Sequence, residues 1–216
     1  MRYDTIFFDL DGTLTDPAEG ITNAVMVALR GQGIEPPADR RELYHFIGPP
    51  LVDTFREDYG FTDAQIRQAI DDFHDYFGAK GKFENALLPG AVELLSALKA
   101  AGRKVVLATS KPEIFARQIL EHFGILRYFD GVFGATYDET MTRKADIIAL
   151  ALKARTDYGR IVMVGDRHHD IDGAAANGLP AIGVLCGFGS ESELRTADAI
   201  VCVSDLMALR ELLLAP

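Results

Sequence analysis

Thr5-Ile6-Phe7-Phe8-Asp9-Leu10-Asp11-Gly12-Thr13 opens the chain with an apolar run that ends on two aspartates, a glycine and a threonine. A short run this apolar, without polar alternation, reads as a strand covered on both faces, which is the signature of a parallel sheet. The same device recurs along the chain, with strand candidates at Thr5–Leu10, Lys104–Thr109, Gly131–Ala135, Arg160–Gly165, Ala181–Leu185 and Ala199–Val203. Helix candidates lie between and after them near 90–101, 112–123, 142–156, 170–177, 190–197 and 204–214. Strand and helix in alternation predict βαβ units and an α/β fold with a Rossmann-like parallel sheet. Ser190 followed by Glu193 reads as a capping box, and Ser204 stands where the last helix would begin.

Residues 16–88 break the alternation. Asp16-Pro17-Ala18-Glu19 reads as an N-cap, a proline at the first helical position and a capping glutamate, opening a helix to about Leu29 that Gly31 and Gly33 stop. Thr62-Asp63-Ala64-Gln65 repeats the signal for a helix through about Phe77, with Arg40–Phe46 and Leu51–Tyr59 between the two. The segment is expected to be an all-α insertion without strands, closed by Leu88-Pro89-Gly90. The expected domains are therefore a core of 1–15 with 89–216 and a small helical domain of 16–88.

Composition limits the partners. With 22 Lys+Arg against 32 Asp+Glu in 216 residues, the formal charge of −10 argues against nucleic acid or an anionic membrane, both of which are held by clustered cations. A chain with 48% hydrophobic and 25% charged residues excludes wholesale disorder and a disulfide scaffold. Cys186 and Cys202 form no metal-like cluster and are expected to be reduced, with an intrachain disulfide as the lesser alternative. No apolar run reaches the length of a membrane span, and Asp4 and Asp9 interrupt the first one, so neither a span nor a signal peptide is expected. These observations predict a cytoplasmic protein whose main partner is neither nucleic acid nor a membrane; a monomer or homodimer is expected.

Four places carry chemistry. Asp9 and Asp11 stand at the end of the first strand, where open α/β sheets bind ligands. Two carboxylates at i and i+2 allow one to act ionised, as nucleophile or metal ligand, while the other gives and takes a proton. An acidic Asp-Gly turn is the plain alternative. Thr109 and Ser110 end the second core strand and offer a hydroxyl and an N–H to a phosphate oxygen, although such residues also cap helices everywhere. Lys144 opens a long helix, a position that in isolation reads as solvated surface. Gly165-Asp166-Arg167-His168-His169-Asp170 ends another strand, and its carboxylates are hard oxygen ligands suited to Mg²⁺. His168 and His169 read as exposed loop residues rather than zinc ligands, because no third His or Cys stands at metal-like spacing.

In their order, Asp9-Leu10-Asp11-Gly12-Thr13-Leu14, Thr109, Lys144 and Gly165-Asp166-x-x-x-Asp170 resemble the four motifs of the haloacid dehalogenase superfamily, over essentially the whole chain. The helical insertion resembles the mobile cap of the phosphoglycolate phosphatase-like branch. Phe46-Ile47-Gly48-Pro49-Pro50-Leu51 and the stretch from Gly183 to Ser190 are similar to segments of bacterial phosphoglycolate phosphatases and 5′-nucleotidases. One departure is Ala145, which stands where this branch often has proline after the lysine.

The resemblance implies a Mg²⁺-dependent phosphomonoesterase in which Asp9 attacks phosphorus and forms an aspartyl-phosphate, while Asp11 protonates the leaving oxygen and later takes a proton from water. It implies Mg²⁺ held by Asp9, the Asp11 backbone carbonyl, Asp166 and Asp170, with Lys144 bridging Asp9 and the phosphate. Thr109 and the Ser110 N–H would take the remaining oxygens. The branch implies specificity from the cap, here Ile47, Gly48, Pro49 and Arg56, and cap hinges near Leu14–Asp16 and Ala86–Pro89. The substrate would be a small phosphate ester, phosphoglycolate-like or a nucleoside 5′-monophosphate. Phosphoglycolate would want a cation for its carboxylate, which Arg41, Arg56, Lys80 and Lys82 offer, and a nucleotide a platform, which Tyr44, Phe46, Phe55 and Phe83 offer.

A phosphomutase of the β-phosphoglucomutase type shares all four motifs, and a binding protein on the same fold is a further alternative. A receiver domain lacks a cap, and a dehalogenase has no use for Asp11. His45, His74 and His122 are expected to be structural or surface residues.

Overall fold

A computed structural model describes residues 3–215 and places the six apolar runs in one parallel sheet. The strands are β1 (Thr5–Phe8), β4 (Lys104–Pro112), β5 (Gly131–Ala135), β6 (Ile161–Gly165), β7 (Ala181–Val184) and β8 (Val201–Val203), in the order β5-β4-β1-β6-β7-β8. A second, two-stranded sheet pairs β2 (Thr15–Asp16) with β3 (Ala86–Leu87). The main sheet has its switch point at β1, whose neighbours β4 and β6 leave it in opposite directions, and such a point opens a crevice beyond the strand ends. In register, Phe8 faces Leu107 on one side and Val164 on the other, so the residues after these three strands emerge together.

The flanking helices are α4 (Ala91–Ala100), α5 (Glu113–His122), α6 (Lys144–Ala154), α7 (His168–Ala175), α8 (Glu191–Thr196) and α9 (Leu206–Leu214). They bury the sheet through fully enclosed side chains such as Phe7, Val106, Ile147, Met163 and Leu194. No helix among the described residues is long and apolar enough to cross a membrane. Cys186 and Cys202 are free thiols.

The chain divides into two compact units, Pro17–Ala86 and the remainder. The smaller unit holds α1 (Ala18–Gly31), a 3₁₀ turn at Arg40–Phe46, α2 (Leu51–Tyr59), α3 (Asp63–Ala79) and a 3₁₀ turn at Gly81–Phe83. Aromatic packing fills it, with Phe55 stacked on Phe61 at 5.6 Å and Phe73 on Phe77 at 5.5 Å. Gly20 lets α1 meet the Gly81 carbonyl, since a Cβ there would lie 1.9 Å from that oxygen. Thr62 and Gln65 form the expected capping box of α3.

Several local expectations need correction. The first strand stops at Phe8 rather than Leu10, because the Leu10 carbonyl accepts the N–H groups of Thr13, Leu14 and Thr15 and leaves the ladder. Asp16 is not at the N-cap position of α1, which Pro17 occupies. Asp16 belongs to β2, and the helix begins after Pro17 without a side-chain cap. The expectation of no strand in 16–88 gives way to that β2–β3 pair at the ends of the segment; beside it the Leu88 N–H donates to the Leu14 carbonyl at 3.0 Å. Gly31 ends α1 from inside it, where any side chain would meet the Asp72 carboxylate at 2.2 Å.

Ser190 caps α8 by accepting the Glu193 N–H at 3.1 Å, but Glu193 is drawn instead to Arg167 and the His168 N–H, so the box is half formed. The N-cap of α9 is Asp205, which accepts the N–H groups of Met207 and Ala208, while Ser204 donates to Asp205. Met1, Arg2 and Pro216, assigned to the core from sequence, lie outside the described residues.

Candidate active site

The Asp9–Thr15 turn, the end of β4, the start of α6 and the β6–α7 junction converge beyond the strand ends. Asp9, Asp11, Asp166 and Asp170 are all buried there. The turn is tight because Gly12 takes a positive φ of 75°, a conformation that L side chains avoid. A Cβ on Gly12 would also lie 2.2 Å from Asp166 Oδ2.

Lys144, the first residue of α6, is buried rather than solvated. Its ammonium group lies 2.7 Å from Asp9 Oδ1 and 2.8 Å from Asp170 Oδ1, and it donates to the Ala108 carbonyl at 3.0 Å. Its three donors therefore have three acceptors. Burial alone would favour the neutral amine, but the charges of Asp170 and Asp9 outweigh it and hold the proton well above the ordinary lysine range. The stem passes close to α7 at Gly173, where a Cβ would sit 2.8 Å from Lys144 Cγ.

Asp166 has no exposed surface. Thr13 Oγ1 donates to its Oδ1 at 3.3 Å and the Phe188 N–H to its Oδ2 at 2.8 Å. Asp170 Oδ2 accepts the Arg167 N–H at 3.1 Å, and Gly165 makes room for it, since a Cβ there would meet the carboxylate at 2.1 Å. Burial first, then the negative charge of Asp170, pushes Asp166 up to about 8. Burial likewise pushes Asp170 up to about 6 against the pull of Lys144.

Asp9, Asp166 and Asp170 each offer an oxygen within 4.8 Å of the others. Three buried carboxylates around one ammonium group carry more negative charge than it can neutralise. A hard divalent cation such as Mg²⁺ relieves that excess, so the donor set fits one. His168 and His169 are outside this cluster: the His168 ring nitrogen Nδ1 lies 3.0 Å from Asp172, and burial lowers His169 to about 4.

Thr109 is buried, and its Oγ1 accepts the Lys111 N–H at 3.3 Å; Ser110 is half-buried. Asp11 is pushed up by burial first, opposed by Lys111, whose ammonium group lies 2.6 Å from Asp11 Oδ2. Sequence reasoning missed Lys111. The signal was present, since Lys111 stands two residues after Thr109 on the same strand and residues at that spacing share a face. It also missed the Thr13 hydroxyl and the backbone around Phe188 that hold Asp166.

The specificity candidates lie in the helical unit. Ile47 is buried, Gly48 has a φ of 110°, Pro49 is half-buried, and Arg56 is half-exposed, pairing with Asp63 at 2.9 Å. His45 pairs with Asp58 at 3.0 Å, and His74 is buried.

A family model described as haloacid dehalogenase-like hydrolase matches residues 3–178. A 5′-nucleotidase of Pseudomonas aeruginosa is 45% identical over 214 residues, covering 99% of this chain and 96% of its own. The tyrosine-protein kinase PtkA of Mycobacterium tuberculosis is 41% identical over 185 residues, 85% of this chain but 62% of PtkA. A phosphoglycolate phosphatase of Agrobacterium fabrum is 29% identical over 94% of this chain and 88% of its own. The crystal structure of a predicted phosphatase from Clostridium acetobutylicum superposes with a TM-score of 0.94 at 43% identity, covering 100% of both chains. With the family model spanning most of the chain and close relatives matched end to end, the chain belongs to the haloacid dehalogenase-like hydrolase family, among its phosphatases.

Proposed function

We propose that the protein is a Mg²⁺-dependent phosphomonoesterase that works through an aspartyl-phosphate on Asp9. The observation that carries this reading is the buried Asp9–Lys144 pair, at 2.7 Å, beside the Asp166 and Asp170 carboxylates. Lys144 holds the Asp9 carboxylate in place and offsets its charge, so that an oxygen of Asp9 can approach an anionic phosphorus.

As the Asp9 oxygen bonds to phosphorus, the bond to the leaving oxygen breaks and its electron pair stays on that oxygen. Asp11 gives its proton there, and the leaving group departs as the neutral alcohol. In the second half a water gives a proton to the Asp11 carboxylate as its oxygen attacks phosphorus. Asp9 is released as a carboxylate, inorganic phosphate forms, and Asp11 is again protonated. Thr109 Oγ1 and the Ser110 N–H hold phosphoryl oxygens. Asp9, the Asp11 carbonyl, Asp166 and Asp170 would hold Mg²⁺, which when bound supplies positive charge to the transferring phosphoryl group.

The substrate class in this reading is a small phosphate ester, either a nucleoside 5′-monophosphate or a phosphoglycolate-like acid. The names of the relatives at 45% and 29% identity support these choices. Selectivity between them is assigned to Ile47, Gly48, Pro49 and Arg56 of a helical cap. A cytoplasmic location goes with this reading.

The test is phosphate release from a panel of nucleoside monophosphates, phosphoglycolate and an aryl phosphate, with Mg²⁺ and with chelator. Turnover should require Mg²⁺, and Asp9→Asn should abolish it with the circular dichroism spectrum unchanged. Activity of that variant within tenfold of the parent would remove Asp9 as nucleophile. Full activity in chelator would remove the metal.

A further inference from the structure

The reaction described above gives Lys111 no task, yet the fold spends effort on burying it. The residue is 9% exposed, and its pair with Asp11 is nearly dry, with side-chain exposures of 5% and 10%. An ion pair taken out of water gains little net stability, because desolvation of both charges offsets their attraction. Stability alone is thus a weak reason for this lysine to lie here.

Its placement is built into the sheet. The β4–β5 register shifts between Thr109 and Pro112, the Lys111 N–H donates to Thr109 Oγ1, and Gly134 of β5 leaves room for the Lys111 carbonyl, which a Cβ there would meet at 2.7 Å. The two oxygens of Asp11 are treated differently. Oδ2 lies 2.6 Å from Lys111 Nζ, whereas Oδ1 is buried and has no hydrogen-bond partner among the described residues.

We propose that Lys111 is a positioning residue for Asp11: its ammonium group anchors Oδ2 and fixes the carboxyl rotamer, so that Oδ1 is the oxygen that gives the proton to the leaving group and takes one from water. The inference rests on the reading of Asp11 as acid and base. It differs from the simpler idea that Lys111 neutralises phosphate. Every ester carries the same phosphoryl group, so a lysine acting on phosphate serves all esters alike. A lysine acting through Asp11 matters in proportion to how much the leaving oxygen needs a proton. An alkoxide needs it, and a nitrophenolate hardly does.

The experiment compares kcat/KM on a primary alkyl phosphate and on nitrophenyl phosphate, with Mg²⁺ saturating, for the parent, Lys111→Met, Lys111→Arg and Asp11→Asn. Lys111→Met should lose about 30-fold or more on the alkyl ester, in kcat rather than KM, and no more than about threefold on the aryl ester. Lys111→Arg should recover part of the alkyl activity, because it keeps a cation near Oδ2. Equal losses on both esters would overturn the proposal and make Lys111 a phosphate or packing residue. The underlying reading fails separately: Asp11→Asn would then lose equally on both esters, and the proposal would fall with it. Thermal melting checks each variant, and if Lys111→Met does not fold, Lys111→Gln carries the same comparison.

Discussion

Gly187→Ala tests whether the backbone around Asp166 sets its metal affinity. A Cβ at this position would lie 2.3 Å from Asp166 Oδ2 and 2.3 Å from the Gly12 carbonyl oxygen. Real Cβ contacts are essentially never shorter than 3.0 Å, so each of the two contacts must open by at least 0.7 Å. The Gly12 carbonyl belongs to a turn held at a φ of 75° and closed by the Gly12 N–H bond to Thr15 at 2.8 Å, so that contact opens by movement of the Gly187 segment and the other by movement of the carboxylate. The φ of Gly187 is not positive, and alanine therefore brings no backbone strain of its own.

A shift of that size stretches the 2.8 Å bond from the Phe188 N–H to the edge of hydrogen-bonding distance and moves a proposed metal ligand. Losing the support of a ligand costs about 10- to 100-fold in metal affinity, or about 1.4–2.8 kcal/mol. Calorimetric titration with Mg²⁺ reads this directly, and the half-saturating Mg²⁺ concentration for phosphate release should rise in step. A Mg²⁺ affinity within twofold of the parent, in a variant with the parent's melting temperature, would refute the argument.

Two further outcomes follow from named contacts. Lys144→Ala should lower kcat/KM about 10²-fold or more, because it takes a fixed charge from Asp9, and Lys144→Arg should rescue only partly, a planar fork fitting poorly among the three acceptors; steady-state kinetics on one good substrate decides it. The Asp130 side chain is 25% exposed: burial raises its proton affinity, but Lys99 at 2.7 Å and the Val105 N–H at 2.8 Å outweigh that and hold it below the ordinary value. A depressed carboxyl stabilises above its unfolded pKa of 3.8 and loses that contribution as pH falls through the folded value. Asp130→Asn should thus cost about 1.5 kcal/mol in urea unfolding at pH 7 and far less near pH 3, and equal costs at both would sink the assignment.

The sheet was legible because parallel strands buried on both faces must be apolar without interruption, and runs such as Val105–Ala108 and Val162–Val164 have no other comfortable reading. The convergence of Asp9 and Asp166 followed from the same geometry, since the C-terminal ends of neighbouring parallel strands lie side by side, whereas Lys144, at a helix start, joined them only through the family resemblance. Helix caps were less legible. Ser204 and Asp205 are both good capping residues, and only the backbone decided that the aspartate faces the free amides while the serine turns to it.

The support around Asp166 was invisible for a different reason. Phe188 reaches it with a main-chain N–H, and main-chain donors leave no mark in side-chain identity. What they leave is glycine. Gly12, Gly165, Gly187 and Gly189 each sit where a Cβ would strike Asp166 or Asp170 at 2.3 Å or less. In isolation each reads as a turn.

Electrostatics explains how two aspartates two residues apart acquire different work in the proposed reaction. Four buried carboxylates, Asp9, Asp11, Asp166 and Asp170, face two buried ammonium groups, Lys111 and Lys144, which leaves a formal charge of −2 when all are ionised. Without a further cation, burial and the neighbouring carboxylates raise the proton affinity of Asp166 and Asp170. A divalent cation would meet that excess, and would do so among Asp9, Asp166 and Asp170, whose oxygens cluster. Asp9 shares Lys144 with Asp170 inside that cluster. Asp11 has Lys111 at 2.6 Å from Oδ2 and a second oxygen that is buried, with no hydrogen-bond partner among the described residues. In the proposed reaction these unlike partners fit Asp9 to attack and Asp11 to carry the proton.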